Sequence, residues 1–245
     1  MTLQRPWHGI PIVDNGEPLE PLPSALLRLE PHPYAALGAP YGPGQSPFAL
    51  RRQVIARLLT AQDALQELAA PQLGADGIRL AIFDGWRPIA VQQFMVQHTL
   101  AELCSQAGVD PVQPSPERQR LELEVGRFWA PPSHDAATPP PHSTGAAVDL
   151  TLADRHGQLL EMGGAIDAIG PVSEPDHYAA AARDNPEALA ALWHQRRQWL
   201  RMAMEQAGFA QHPNEWWHFS HGDQLWAWRV GASEASYGRA EPSAG

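Results

Sequence analysis

The chain has 245 residues, 44% of them hydrophobic and 18% charged, with a formal net charge of −10 at pH 7. That length allows one large domain or two small ones around a substantial core, and the composition excludes general disorder. The acidic balance argues against a broad nucleic-acid footprint and against electrostatic docking on anionic membranes.

A single cysteine, Cys104, rules out an intramolecular disulfide and a thiolate-rich metal centre. Any metal must therefore be held by histidines and carboxylates. The first residues lack a basic region followed by an apolar run, and no segment approaches the roughly 20 apolar residues of a membrane-spanning helix. The expectation is a cytoplasmic protein, or a periplasmic one whose leader has been removed, with a small-molecule substrate and neither nucleic acid nor membrane as partner.

Residues 1–45 are rich in Pro and Gly and predict an irregular arm lying over the core, with one short strand near Leu26–Leu29. Ser46-Pro47 reads as the start of a helix, with Leu50, Val54, Leu58, Ala61, Leu65 and Leu68 at helical spacing and Pro71 and Gly74 ending it. Ile78–Phe83 predicts a buried strand. The turn Asp84-Gly85-Trp86-Arg87-Pro88 leads into a second helix that stops at Gly108, and Ser115-Pro116-Glu117 opens a third that runs to about Phe128.

Prolines then bracket a loop that ends at His142. After the Gly145 corner, Ala146, Val148, Leu150 and Leu152 fall on one face of a strand, while Ala147, Asp149 and Thr151 fall on the other. Asp149 thus projects away from the apolar face. Asn185-Pro186 reads as the start of a further helix with Gly208 as its cap, and Trp216–Ser220 and Leu225–Trp228 as two strands of a hairpin. Residues 231–245 have the composition of a flexible tail. The organisation predicted is one α+β domain over 46–230, preceded by the arm and followed by the tail.

A catalytic zinc site uses three His or carboxylate ligands and leaves a fourth position for water, whose pKa the metal pulls to about 7. His142, Asp149 and His218 can supply the three ligands, and Glu215 can supply a base for the water. In a regular strand, residues three apart point to opposite faces, so Glu215 and His218 share a site only if the chain bends, as Pro213-Asn214 allows. A lone histidine is most often a surface or hydrogen-bonded residue; here the weight rests on the motifs occurring together. Ser143 and Thr144 suggest no nucleophile, since no Ser-His-Asp spacing accompanies them. His221 reads as a turn residue and Cys104 as a small buried apolar one.

Taken with FDGWRP at Phe83–Pro88, HSTGAAVDLTL at His142–Leu152, MGGAID at Met162–Asp167 and EWWH at Glu215–His218, the chain resembles the zinc-dependent D-alanyl-D-alanine dipeptidases of the hedgehog-like D,D-peptidase group. The resemblance spans about residues 46–228. It implies an α+β fold in which a small antiparallel sheet carries the site between flanking helices. It also implies one zinc ion per chain held by His142, Asp149 and His218, with Glu215 as catalytic base and Arg87 stabilising the oxyanion. Asp167 would meet the substrate ammonium. The implied reaction is hydrolysis of D-alanyl-D-alanine to free D-alanine by zinc-bound water. The alternatives are a D,D-carboxypeptidase or endopeptidase acting on peptidoglycan stem peptides, and a non-catalytic zinc-binding module, which has no need of Glu215. Arg87 as a structural arginine and Asp167 as a helix cap or ion-pair partner also stay open. The chain departs from the family pattern at Pro140-Pro141, where relatives often have Ser-Ser, and at Trp86, where they have Tyr.

Overall fold

A computed structural model describes residues 5–73 and 77–241. In chain order the strands are β1 (Leu19–Pro21), β2 (Leu27–Arg28), β3 (Ala49–Arg51), β4 (Ile78–Asp84), β5 (Ala147–Asp154), β6 (Ala210–Gln211) and β7 (His218–Ser220). The helices are α1 (Pro33–Ala36), α2 (Arg52–Leu73), α3 (Ile89–Ala107), α4 (Pro116–Phe128), α5 (Ala179–Asp184), α6 (Leu189–Gln206) and α7 (Gln224–Val230).

Strands β2-β4-β5-β7-β6 form a five-stranded sheet in that order, antiparallel throughout except for the parallel β2–β4 pair. Ala146, Val148, Leu150 and Leu152 enter the main core, where α2 gives Val54, Leu58, Ala61 and Leu65 and α6 gives Trp199, Leu200, Ala203 and Met204. The opposite face of the sheet is covered as well. There Tyr34 and Tyr41 of the arm join Val91, Met95, Val125, Phe128 and Trp129 in a second apolar cluster. Asp149 is held between these layers, on the face away from the main core.

Several boundaries differ from those expected, each for a local reason. The Ser46-Pro47 start is displaced: Ser46 Oγ accepts from Phe48 N at 3.1 Å, Ala49–Arg51 pairs with β1, and the helix begins at Arg52. That helix continues through Pro71 to Leu73, and Gly74 lies outside the described residues. Asn185 closes a turn, its Oδ1 accepting from Glu187 N and its carbonyl from Ala188 N, each at 3.2 Å, and Ala188 is then extended (φ −72°, ψ 155°), so α6 begins at Leu189. Leu225–Trp228 is helix instead of strand. Asp223 caps α7 by accepting from Trp226 N at 2.8 Å, and Gly231 closes it with φ 73°. β7 therefore pairs with β5 and β6 and forms no hairpin with a following strand.

The expected C-terminal tail is also different. Ala235, Tyr237 and Ala240 are buried, Ala235 N donates to Pro11 O at 2.9 Å, and Ala240 N donates to Ser143 O at 2.8 Å. No described helix is long and apolar enough to cross a membrane.

Candidate metal centre

Sheet register explains how distant residues meet. Asp84 on β4 is the partner of Asp149 on β5, after a bulge between Ile82 and Asp84, and Asp149 is in turn the partner of His218 on β7. Three polar residues thus lie in one row across three strands. His142 is delivered by the 3-10 turn Pro141–Thr144, which Gly145 ends in the left-handed region at φ 68°. That positive φ favours glycine, and a Cβ there would also push aside the Leu19 side chain, whose Cδ2 would lie 2.2 Å away.

His142 Nε2 lies 3.1 Å from Asp149 Oδ2 and 3.2 Å from His218 Nδ1, while His218 Nδ1 lies 3.0 Å from Asp149 Oδ1. Tetrahedral zinc at about 2.0–2.1 Å from each ligand needs ligand separations of about 3.3 Å, so this triangle has the right size. Its chemistry fits too. His142 Nδ1–H donates to Gly85 O at 2.7 Å, which leaves the Nε2 lone pair facing inward. Two imidazole nitrogens and a carboxylate, all buried and this close, are best reconciled by a cation among them. Burial opposes the Asp149 charge, yet His142 and His218 hold its carboxyl well below the usual range. Among the described residues this is the one grouping of three or more such side chains with converging ligand atoms.

Glu215 precedes β7 in irregular backbone, so the strand-alternation objection does not apply. Its Oε2 is 3.7 Å from His218 Nδ1, and its Oε1 is buried with no hydrogen-bond partner. Burial raises the carboxyl to about 8, against the pull of His218. Such a group can take and release a proton near neutral pH.

Each nitrogen of Arg87 has a partner. Its Nε donates to Asp84 Oδ2 at 2.7 Å, Nη1 to Gln92 Oε1 at 2.9 Å, and Nη2 to Asp149 Oδ2 at 3.2 Å. Burial works against the charge, but Asp84, Tyr34 and Asp149 outweigh it and keep the guanidinium ionised. Asp167 lines the same pocket in a left-handed backbone conformation (φ 64°) and accepts from Tyr34 OH at 2.7 Å. Burial, reinforced by Asp149, lifts its carboxyl to about 7. The loop that carries it is held from α6, where Arg197 Nε donates to Met162 O at 2.9 Å.

The structure therefore brings His142, Asp149, His218, Glu215, Arg87 and Asp167 to one pocket. Ser143 and Thr144 do spend their hydroxyls within the turn, donating to Pro140 O and Pro141 O at 2.7 and 2.6 Å. His221 donates from Nδ1 to Gly208 O at 2.8 Å, outside the site. Sequence reasoning missed Asp84, Tyr34 and Gln92 around Arg87. It also missed His212, whose Nδ1 is 3.5 Å from Glu215 Oε1, and the pocket-lining Arg5 and Trp7. Asp84 stood in the FDGWRP motif and was legible there. The arm residues carried no local signal.

A family model described as D-ala-D-ala dipeptidase matches residues 28–235. A D-alanyl-D-alanine dipeptidase of Synechocystis sp. is 42% identical, over 98% of each chain. A D-alanyl-D-alanine dipeptidase of Escherichia coli is 30% identical, over 67% of each. A solved structure of the vancomycin resistance D,D-pentapeptidase VanY in complex with Zn(II) is similar over 88% of each chain, at 16% identity and a TM-score of 0.41.

Proposed function

The chain belongs to the D-ala-D-ala dipeptidase family, and from that premise we propose that it is a zinc metallopeptidase hydrolysing D-alanyl-D-alanine to free D-alanine. The observation that carries this reading is the buried triangle of His142, Asp149 and His218 with the buried Glu215 carboxylate beside it, one oxygen of which has no hydrogen-bond partner.

His142, Asp149 and His218 would hold the zinc ion, which when bound would supply a Lewis acid and lower the pKa of a water. Glu215 accepts the proton of the attacking water and returns it to the departing amine. Arg87, fixed by Asp84 and Gln92, offers a permanent charge to the oxygen on which negative charge grows. Asp167 binds the ammonium of the first residue, so an acylated N-terminus presents no charge to it. Trp217 and Trp129 wall the pocket and exclude water.

The free ammonium requirement separates this reading from a D,D-carboxypeptidase acting on stem peptides. Zinc-loaded protein assayed on dipeptides of both chiralities should cleave D-alanyl-D-alanine and reject its N-acetyl form. Cleavage of the N-acetyl form at equal kcat/KM points to the carboxypeptidase, and no cleavage of any D,D-dipeptide removes the substrate assignment.

A further inference from the structure

Arg5 is a cation in this pocket that the reaction described above does not use. Its Nη2 donates to Gly126 O at 2.6 Å and Trp129 O at 3.1 Å, around the end of α4, and its guanidinium lies 5.7 Å from the Trp7 ring. The Nε–H is buried and has no partner, and the charge meets no carboxylate within salt-bridge distance among the described residues. Arg5 shares the pocket with Glu215 and His212, and its near neighbour Trp7 packs edge-on against the His212 ring at 5.8 Å. Asp167 lines the same pocket and is bonded to Tyr34 OH.

A free dipeptide has an ammonium at one end and a carboxylate at the other. Asp167 suits the first. The second needs a further donor, since Arg87 is already assigned to the reacting oxygen and is held by Asp84, Gln92 and Asp149. The segment before His142 has three prolines in a row, which lack N–H groups, and Ser143 Oγ already donates to Pro140 O. Among the described residues Arg5 keeps an unsatisfied Nε–H and has no carboxylate within salt-bridge distance, and a carboxylate accepts well from such a donor.

Resting on the proposed function, we propose that Arg5, carried on the N-terminal arm, binds the C-terminal carboxylate of the dipeptide and makes the enzyme selective for substrates with a free C-terminus. The competing role is purely structural, a cation closing the C-terminal end of α4. A cap of that kind has no effect on how substrates with and without a terminal charge are ranked.

The experiment compares hydrolysis of D-alanyl-D-alanine and D-alanyl-D-alaninamide by zinc-loaded wild type, Arg5→Gln and Arg5→Lys. Wild type should favour the free acid by roughly ten- to a hundredfold in kcat/KM. Arg5→Gln should remove that preference by raising KM for the acid, and Arg5→Lys should restore part of it. An Arg5→Gln enzyme that keeps the wild-type preference overturns the proposal. Should Arg5→Gln fail to fold, the wild-type ratio decides together with Arg5→Lys: a ratio near one overturns the proposal, and a preference that lysine weakens supports it. If wild type cleaves neither compound nor any other D,D-dipeptide, the proposed function fails and this assignment falls with it. Turnover with unaltered selectivity in the variants removes Arg5 alone.

Discussion

Asp84 and Arg87 form a fully buried ion pair, with Nε and Nη2 of the arginine 2.7 and 2.6 Å from the same carboxylate oxygen. His32 and Tyr41 donate to the other oxygen, each at 3.2 Å. Asp84 thus fixes the direction from which Arg87 approaches Asp149. Asp84→Asn should retain zinc but lower kcat by roughly ten- to a hundredfold, because a misdirected guanidinium loses much of its value to the transition state. Breaking the pair should also cost about 3 kcal/mol of stability. Metal analysis, steady-state kinetics and urea unfolding check the three parts, and an unchanged kcat would show that Asp84 does not aim Arg87.

Glu215 and the ligands should separate cleanly. Glu215→Ala should bind zinc normally and lose about 10²–10⁴ in kcat, the range of a positioned acid–base group. His218→Ala should lose the metal. Chelation of wild type should abolish activity and lower the melting temperature, both restored by zinc, since a ligand bound only to the native state stabilises it.

Asp167 predicts a pH dependence with a definite sign. Burial raises its folded-state pKa to about 7, well above the unfolded value of about 3.9. The associated stability is present below about pH 4 and is lost as pH rises through about 7, when a buried carboxyl must ionise. Asp167→Asn should therefore stabilise the metal-free protein at pH 8, by up to about 4 kcal/mol at about 1.4 kcal/mol per unit, and change little at pH 4. A cation in the same pocket would lower this midpoint, so the metal-free protein is the one to melt. Asparagine tolerates the left-handed backbone that Asp167 adopts, which keeps the comparison clean. In zinc-loaded enzyme, kcat/KM should fall as pH drops through the midpoint, and Asp167→Asn should flatten that limb.

Gly163 tests the loop that presents Asp167. It sits at φ 79°, and a Cβ there would lie 2.5 Å from the Tyr178 ring and 2.7 Å from the Trp193 ring. Gly163→Ala should cost roughly 1–3 kcal/mol and raise KM more than it lowers kcat, since Asp167 is displaced while the ligands stay in place. Equal effects on both constants would argue that the loop also positions the reacting groups.

The candidate metal set was legible in the sequence because its residues sit in short motifs whose spacing reflects local geometry. His142, Gly145 and Asp149 are one turn and the start of one strand, and Glu215 is three residues before His218. The helices with an apolar stripe and a clear cap, such as α4 behind Ser115, were equally readable. Legibility failed where tertiary pairing overrode local preference. Ser46-Pro47 has the chemistry of a helix start, but β1 captures Ala49–Arg51, and Arg51 Nε then donates to Thr144 O at 2.8 Å. Leu225–Trp228 looked like a strand because its apolar run is too short to reveal its period. Arg5 and Trp7 reach the pocket, and Tyr34 reaches Asp167 and Arg87 behind it, only through the path of the arm, which no local pattern encodes.

Ala240 braces two turns at once: its N–H donates to Ser143 O at 2.8 Å, beside His142, and its carbonyl accepts from Trp86 Nε1 at 3.2 Å, beside Arg87. One backbone residue thus couples the turn that delivers His142 to the turn that delivers Arg87. A change that shifts this segment moves both side chains together, so its cost falls on the spacing between candidate ligand and guanidinium.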